Sequence, residues 1–198
     1  MRIKGRFYIP KSYVTESRVA DSKGAPAKRR STRMGHRKKS SDYGLQLKEK
    51  QKIKFSYGLR EKNFLRHVRS AEGARGDSSA KLLQELESRL DSAVFRLGFA
   101  SERSSARQIV SHGHILVNGR KVTVPSYQLK KEDIISIRPQ SMGKGIFKDL
   151  DIKLKKYTPP SWLSLDKESH KGEVKGVPSL EEEGMKPSMD SILEFYSR

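Results

Sequence analysis

The sequence contains no cysteine among its 198 residues. This absence excludes disulfide bonds and every metal site that depends on thiolate ligands. Apolar runs are also short, and none approaches the length of about 18 residues that indicates a membrane-spanning helix. No charged stretch followed by an apolar core opens the chain, so we expect neither a secretory signal nor an organelle transit peptide. We expect no cofactor or metal ion, because zinc-type spacing is absent from the five histidines: His36, His67, His112, His114 and His170.

Acidic residues are scarce relative to basic ones. The chain has 42 Lys and Arg against 23 Asp and Glu, which gives a formal net charge of +19 and a pI near 10.1. The excess is uneven, with a net charge of +16 over residues 1–75, +4 over 76–150 and −1 over 151–198. This balance is typical of a nucleic-acid-binding protein that meets its polyanion mainly through the first half of the chain.

Apolar residues are also few, at 34% of the chain, so part of it is expected to lack a core of its own. That part is residues 1–40, which are rich in Lys, Arg, Ser, Gly and Pro and show no sustained periodicity. We expect an extended basic arm that becomes ordered against a counter-charge. A passive solvated tail is the alternative, and the clustering of cations at 28–30 and 37–39 disfavours it.

A helical pattern begins at Asp42, which can cap a first helix that continues to Lys52, before a break at Gly58. A second helix is predicted over about 60–71, with one buried stripe. A third is predicted to run from about Ser79, with an apolar stripe of core residues. The two stripes are Phe64, Val68 and Ala71, and then Leu82, Leu83, Leu86, Leu90 and Val94.

The next stretch indicates a small α/β unit. Ser101 can cap a helix over 102–111, and on it Arg103 and Arg107 share one face because they are four residues apart. We expect that face to be exposed and to contact phosphates, the alternative being two merely solvated arginines. Strands are predicted over 115–117, 121–124 and 133–138. Asn118-Gly119 is typical of the tight turn of a hairpin.

Several of these segments resemble a known family. The matching residues are Arg89-Leu90-Asp91, Arg96 to Ala100, Ala106-Arg107-Gln108, Val110 to Ile115 and Val117-Asn118-Gly119. They are similar to the RNA-binding module named after small-subunit ribosomal protein four. The segments 41–52 and 160–163 and the ending 193–198 resemble that ribosomal protein's own flanks. The sequence is therefore identified as similar to the bacterial type of this family, without the cysteine zinc knuckle that some members carry.

The fold class expected is α+β. We expect a helical domain over residues 41–88 that is completed by 155–198, with the small α/β RNA-binding module inserted at 89–154. The basic arm over 1–40 precedes both.

The resemblance implies a cytoplasmic, ribosomal and non-enzymatic role. It implies early binding to the 5′ domain of small-subunit rRNA, nucleation of the assembly of the subunit body, and support of decoding accuracy. The partners implied are small-subunit ribosomal proteins five and three, and mRNA near the channel through which it enters the ribosome. No membrane partner is implied.

The candidate RNA-binding residues combine basic, aromatic and amide side chains of the arm, the first helix and the module. They are Arg33, His36, Arg37, Lys38, Lys39, Tyr43, Gln46, Lys50, Lys52, Arg89, Arg96, Arg103, Arg107, Gln108, His112, His114, Asn118, Arg120 and Lys121.

Two alternatives come from other classes. An enzyme such as a pseudouridine synthase or a tyrosyl-tRNA synthetase could use the same module, but we find no nucleophile–base pair and no Gly-rich phosphate loop. The N-terminal part of the chain is also too polar to fold as a catalytic core. The acidic triplet at 181–183 is better explained as a solvated loop. A free heat-shock-type binder of ribosomal RNA is the second alternative, and the family-specific flanks disfavour it.

Overall fold

The computed structural model describes residues 41–180 and 186–197. Over these residues the chain is α+β, as the sequence predicts, with α-helices and one antiparallel sheet of five strands, of which the sequence predicts three. The predicted arm, with its candidate residues Arg33, His36, Arg37, Lys38 and Lys39, lies outside the described residues, and so does the acidic triplet.

Three helices form the first part: α1 (Asp42–Ser56), α2 (Glu61–Glu72) and α3 (Ser78–Glu87). The N-cap of α1 is Ser41 and not Asp42, because the Ser41 hydroxyl accepts a hydrogen bond from the Gly44 N–H. Gly58 turns the chain between α1 and α2 with φ +59°, a left-handed conformation that glycine adopts without steric cost.

These helices enclose one core. The predicted stripe of α2 is fully buried and packs with the leucines of α3 and with Leu180. The last helix, α7 (Lys186–Ser197), closes this core with Met189 and Ile192. The C-terminus therefore packs on α2, and the Tyr196 ring centroid lies 6.3 Å from that of Phe64. We call residues 41–87 with Leu180 and α7 the helical lobe.

The helix predicted to run from Ser79 to Val94 is wrong in its length. Helix α3 ends at Glu87, and a separate helix, α4 (Leu90–Arg96), follows. The Leu90 N–H donates to the Tyr127 carbonyl at 2.9 Å instead of to a preceding turn of helix. A backbone group satisfied from another segment cannot continue the helical ladder, so the helix ends there.

The second part begins with α4 and α5 (Arg103–Ser111), whose N-cap is Glu102 and not the predicted Ser101. The sheet follows with strands β1 (Ile115–Val117), β2 (Arg120–Lys121), β3 (Ile134–Ile137), β4 (Leu163–Asp166) and β5 (Lys171–Val174). Their order is β2-β1-β3-β5-β4, and every neighbouring pair is antiparallel.

The predicted hairpin turn is confirmed. Asn118 and Gly119 have φ values of 49° and 76°, the pair of positive values that a type I′ turn requires. The strand after the turn is only Arg120–Lys121, shorter than the predicted 121–124. The Val122 N–H still donates to the Ile115 carbonyl of β1 at 3.3 Å, and the backbone then leaves the sheet. Further on, the Pro125 and Tyr127 carbonyls accept hydrogen bonds from the start of α4.

The sheet packs on α4, α5 and α6 (Leu150–Lys155) around a second core. Trp162, Leu163 and Val174 belong to this core. The sequence predicts that residues 155–198 complete the helical domain, whereas in the structure residues 155–174 pack with the sheet and supply two of its strands. The physical reason is that β5 pairs directly with β3, with Ile135 opposite Gly172. We call residues 88–174 the sheet lobe.

Among the described residues, no helix combines the length and the apolar character that crossing a bilayer requires.

Candidate nucleic-acid interface

The carboxylate of Glu87, at the end of α3, is fully buried where the two lobes meet. Three donors reach it: the Tyr57 hydroxyl at 2.6 Å and the Arg96 and Arg103 guanidinium groups at 2.8 and 2.9 Å. A buried charge is tolerated only when it is paired and hydrogen-bonded, and Glu87 meets both conditions.

Asp91, in the first turn of α4, is the second buried carboxylate. Arg89 binds it with two nitrogens at 3.0 and 2.9 Å, and Arg107 binds it at 2.9 and 2.7 Å. Arg107 also donates to the backbone carbonyls of Tyr57 and Gly58, at 2.8 and 2.7 Å. One side chain of α5 therefore holds the turn between α1 and α2.

We call this set the arginine clamp, and it consists of Glu87, Asp91, Arg89, Arg96, Arg103 and Arg107. It links the helical lobe to the sheet lobe, since Tyr57 and Gly58 belong to the first and α5 to the second. Arg103 adds a stacking contact, with its guanidinium carbon 4.4 Å from the Tyr57 ring centroid and 4.7 Å from that of Phe95.

The clamp changes the acid–base properties of its members. Burial alone raises the pKa of the Glu87 carboxyl, but the hydrogen bond from Arg96, the charges of Arg103 and Arg96, and the Tyr57 hydroxyl together lower that pKa below its ordinary 4.5. Burial raises the pKa of the Tyr57 hydroxyl well above 10, and the Glu87 charge raises it further. Glu87 is therefore the anion and Tyr57 the neutral donor at neutral pH.

The prediction that Arg103 and Arg107 lie on an exposed face is wrong. Their side chains are only 16% and 29% exposed, and their guanidinium groups are occupied by Glu87 and Asp91. Spacing of four residues places two side chains on one helix face, but it does not say whether that face meets solvent or another element. Arg89 and Arg96, which the sequence analysis grouped with them, are held by the same two carboxylates.

The remaining candidates divide by exposure. Buried ones are Gln46, Lys50 and His114, and exposed ones are Tyr43, Lys52, Gln108, His112, Asn118, Arg120 and Lys121. Exposure places the second group within reach of a large ligand. Among them, Asn118 has a structural use, because its amide donates to Asp133 at 2.8 Å and its oxygen accepts from the Ile134 N–H at 2.9 Å.

Lys50 is buried in the helical lobe, where its ammonium group is paired with a carboxylate. Its ammonium group lies 2.8 Å from Glu61 and 4.6 Å from the ring centroid of Phe195. Partial burial raises the pKa of the Glu61 carboxyl, but hydrogen bonds from Lys50, Lys54 and Tyr196 outweigh it and lower the pKa to about 2. This cluster fastens α7 to α1 and α2.

His114 is buried beside the turn that ends α5. Its Nδ1 lies 2.9 Å from the Ser141 hydroxyl oxygen, and its ring meets that of Phe147 edge-on at 6.2 Å. Its neighbour His112 is exposed, with ring centroids 6.1 Å apart.

A basic cleft between the lobes was missed by the sequence analysis. Exposed Arg60 and Arg66 line it together with Asn63, and the clamp residues Arg89 and Arg107 form its inner wall around a cavity of about 310 Å³. An adjoining cavity of about 430 Å³ shares Arg66 and Ser126. The signal that could have found the cleft is the spacing of three between Arg60, Asn63 and Arg66, which places polar groups along one side of α2.

Within residues 41–180 and 186–197, no group of three or more His, Asp or Glu side chains is placed to hold a metal ion.

Comparison with known proteins gives two adjoining family matches. Residues 8–87 match the model of the ribosomal protein S4/S9 N-terminal domain, and residues 88–135 match that of the S4 domain. The small ribosomal subunit protein uS4 of Herpetosiphon aurantiacus is 48% identical over 164 residues, which are 82% of this chain and 78% of the relative. The chain belongs to the uS4 family.

Other relatives with this name cover the chain similarly. The uS4 protein of Sulfurihydrogenibium sp. is 46% identical over 81% of this chain and 79% of its own length. That of Aquifex aeolicus is 45% identical over 83% and 79%. The two matched domains meet between Glu87 and Ser88, so the arginine clamp lies across the family's domain boundary.

Proposed function

We infer that this protein is a structural constituent of the small ribosomal subunit and binds its rRNA. One observation carries this conclusion: proteins named small ribosomal subunit protein uS4 match it at 45–48% identity across both lobes. Those relatives are ribosomal proteins and not enzymes, and they give no support to the free heat-shock-type alternative. The site of action is the ribosome.

We propose that the rRNA-binding surface uses the exposed candidates rather than the clamp. These are Tyr43, Lys52, Gln108, His112, Arg120 and Lys121, joined by Arg60 and Arg66 of the cleft. Lys and Arg at exposed positions can release counterions from phosphates, which is the main driving force of such binding. The arm residues Arg33, His36, Arg37, Lys38 and Lys39 are proposed to add contacts on the basis of their charge.

The clamp has a different part in this proposal. By fixing the turn at Tyr57–Gly58 against α5, it holds the exposed cations of the two lobes at a constant separation. Phosphate contacts position a protein on folded RNA, and A-form helices are recognised mainly through shape and backbone. A rigid pair of lobes can therefore select a fixed arrangement of RNA helices.

We propose more specific roles in the small subunit from the family resemblance. They are binding at a junction in the 5′ domain, nucleation of body assembly, and support of accuracy through ribosomal proteins five and three beside incoming mRNA. We also propose three functional segments: the arm over 1–40, the helical lobe closed by α7, and the RNA-binding module, which the packing of β4 and β5 extends to residue 174.

Equilibrium binding of a transcript of the small-subunit rRNA 5′ domain tests the proposed surface. Lys52→Ala combined with Arg120→Ala removes two exposed cations and should reduce the slope of log affinity against log salt by about 1.4–1.8, for two lost phosphate contacts. The matched control is Lys153→Ala with Lys156→Ala, two exposed lysines outside the proposed surface. Equal slopes for the two double variants would contradict the proposal.

A further inference from the structure

We propose that His112, Lys121, Arg138 and Lys144 form a binding site for one phosphate group of rRNA, arranged around the buried ring of His114. The inference rests on the proposed rRNA binding and deepens it. The match to the S4 domain ends at residue 135. Arg138 and Lys144 follow that segment, so they lie outside the matched domain. We call these four residues the His114 cluster.

Backbone bonds hold the later members of the cluster against His114. The Arg138 N–H donates to the His114 carbonyl at 2.8 Å, and the Ser141 N–H donates to the Arg138 carbonyl at 2.8 Å. The Lys144 N–H then donates to the Ser141 carbonyl at 3.0 Å. Because Ser141 also lies against the His114 ring, the segment 138–144 is fixed beside the turn that carries His112.

Lys121 reaches the same place from the hairpin. A Cβ atom added to Gly113 would lie 2.1 Å from the Lys121 Cε, so the lysine stem passes directly over this glycine. Gly113 also has φ +72°, which glycine alone adopts without strain. The His112-Gly113-His114 turn therefore needs glycine for its backbone, and a Cβ atom there would displace the end of the Lys121 side chain.

The cluster is not neutralised from within the described protein. No carboxylate of residues 41–180 or 186–197 forms an ion pair with Lys121, Arg138 or Lys144. Burial lowers the pKa of His114, and the charges of Lys144, His112, Arg138 and Lys121 lower it further. Several cations therefore lie close enough to one buried ring to lower its pKa, and such a concentration of positive charge attracts an anion.

An RNA phosphate suits this arrangement. Arg138 offers a planar fork that can bind two phosphate oxygens, and the two lysines offer rotatable point charges. His112 adds a ring nitrogen that can donate a hydrogen bond to a phosphate oxygen. Arg120 and Gln108, which we assign to the rRNA surface, are also exposed, and they lie next to Lys121 and four residues before His112 along the chain.

The first test uses Arg138→Ala with Lys144→Ala in the full chain. Loss of one phosphate contact should reduce the salt slope for the 5′-domain transcript by about 0.7–0.9 and weaken binding several-fold. Lys130→Ala with Lys131→Ala removes two exposed lysines of the same lobe and serves as the control. An unchanged slope, with the Lys52/Arg120 variant still showing its loss, overturns this inference and leaves the proposed function standing. Loss in neither variant overturns both.

The second test compares two glycines. Gly113→Ala and Gly119→Ala strain the backbone alike, with φ values of 72° and 76°, but only the first places a Cβ against Lys121, since nothing lies within 4 Å of a Cβ at Gly119. Melting of the free proteins measures the shared strain. Gly113→Ala should weaken RNA binding more than Gly119→Ala does at matched folded fraction, and equal weakening overturns the inference.

A third measurement uses NMR of the histidine rings. An anion in the cluster offsets the surrounding cations, so the RNA transcript should raise the pKa of His114 in the wild type and leave it unchanged in the Arg138/Lys144 variant. Inorganic phosphate is the second probe. A response to inorganic phosphate without one to RNA would show a site for small anions only and would overturn the assignment to rRNA.

Discussion

The arginine clamp and the His114 cluster are both rich in cations, yet they differ in what surrounds them. Arg89, Arg96, Arg103 and Arg107 meet two buried carboxylates, and each arginine is bound by one of them. In the part of the chain that the structure describes, Lys121, Arg138 and Lys144 meet none. The arginines of the clamp join the two lobes. The cations of the His114 cluster have no ion pair with a described carboxylate and can bind another molecule.

The difference shows that basic residues near one another in sequence do not identify a nucleic-acid surface by themselves. A cation that folding removes from water requires an anion nearby, whereas an exposed cation is solvated and remains available. Glu87 and Asp91 are two acids against four arginines, but their burial makes them decisive. We therefore propose that the clamp contributes to RNA binding by positioning the lobes, and that the cluster contributes by direct contact.

The largest effect that separates the two regions should come from Glu87→Gln. Removal of the charge leaves Arg96 and Arg103 without their buried anion, and breaking such a pair costs about 3–5 kcal/mol of unfolding free energy. Urea unfolding of the free protein measures the loss. Glu168→Gln, at an exposed turn, is the control and should be neutral. A Glu87 variant as stable as the control would show that the clamp does not hold the lobes.

A smaller effect sharpens the comparison through Arg103→Ala with Arg107→Ala. We expect a loss of about 1.5–3 kcal/mol of unfolding free energy. This is less than for Glu87→Gln because each buried carboxylate keeps one arginine, Arg96 at Glu87 and Arg89 at Asp91. At a temperature where the variant is folded, the salt slope of rRNA binding should equal that of the wild type. The sequence alone predicts a slope flatter by about 1.5. Flattening of that size would return these arginines to the RNA surface.

The smallest effect is on the pH dependence of stability. Glu87 and Glu61 have pKa values below their ordinary 4.5 in the folded protein, and that of Glu61 is about 2. The unfolded chain therefore binds more protons in acid, and the stability that these groups contribute is present above pH 4.5 and lost as the pH falls toward 2. Urea unfolding at several pH values should show this decline, with a shallower decline in Glu87→Gln. Equal declines in both proteins would contradict the assignment.

Much of the fold could be predicted from local pattern. The stripe of Phe64, Val68 and Ala71 and the Asn118–Gly119 turn follow from periodicity and turn chemistry, and the structure confirms them. Strands β4 and β5 were missed, because short stretches such as Lys171–Val174 have little apolar alternation. They are strands because β3 offers an edge and because Gly172 leaves room for Leu97, whose side chain would lie 2.4 Å from a Cβ there.

The sequence by itself determined the net charge, the absence of thiol chemistry, the α+β class and the family, since each depends on composition or on residues close together along the chain. Only the tertiary structure decided which cations are free. Arg107 donates hydrogen bonds to Asp91, 16 residues earlier in the sequence, and to the Tyr57 carbonyl, 50 residues earlier. The Lys121 side chain passes over Gly113, in the turn before the hairpin. Charge pairing depends on distance in space and on burial, and chain folding alone sets both.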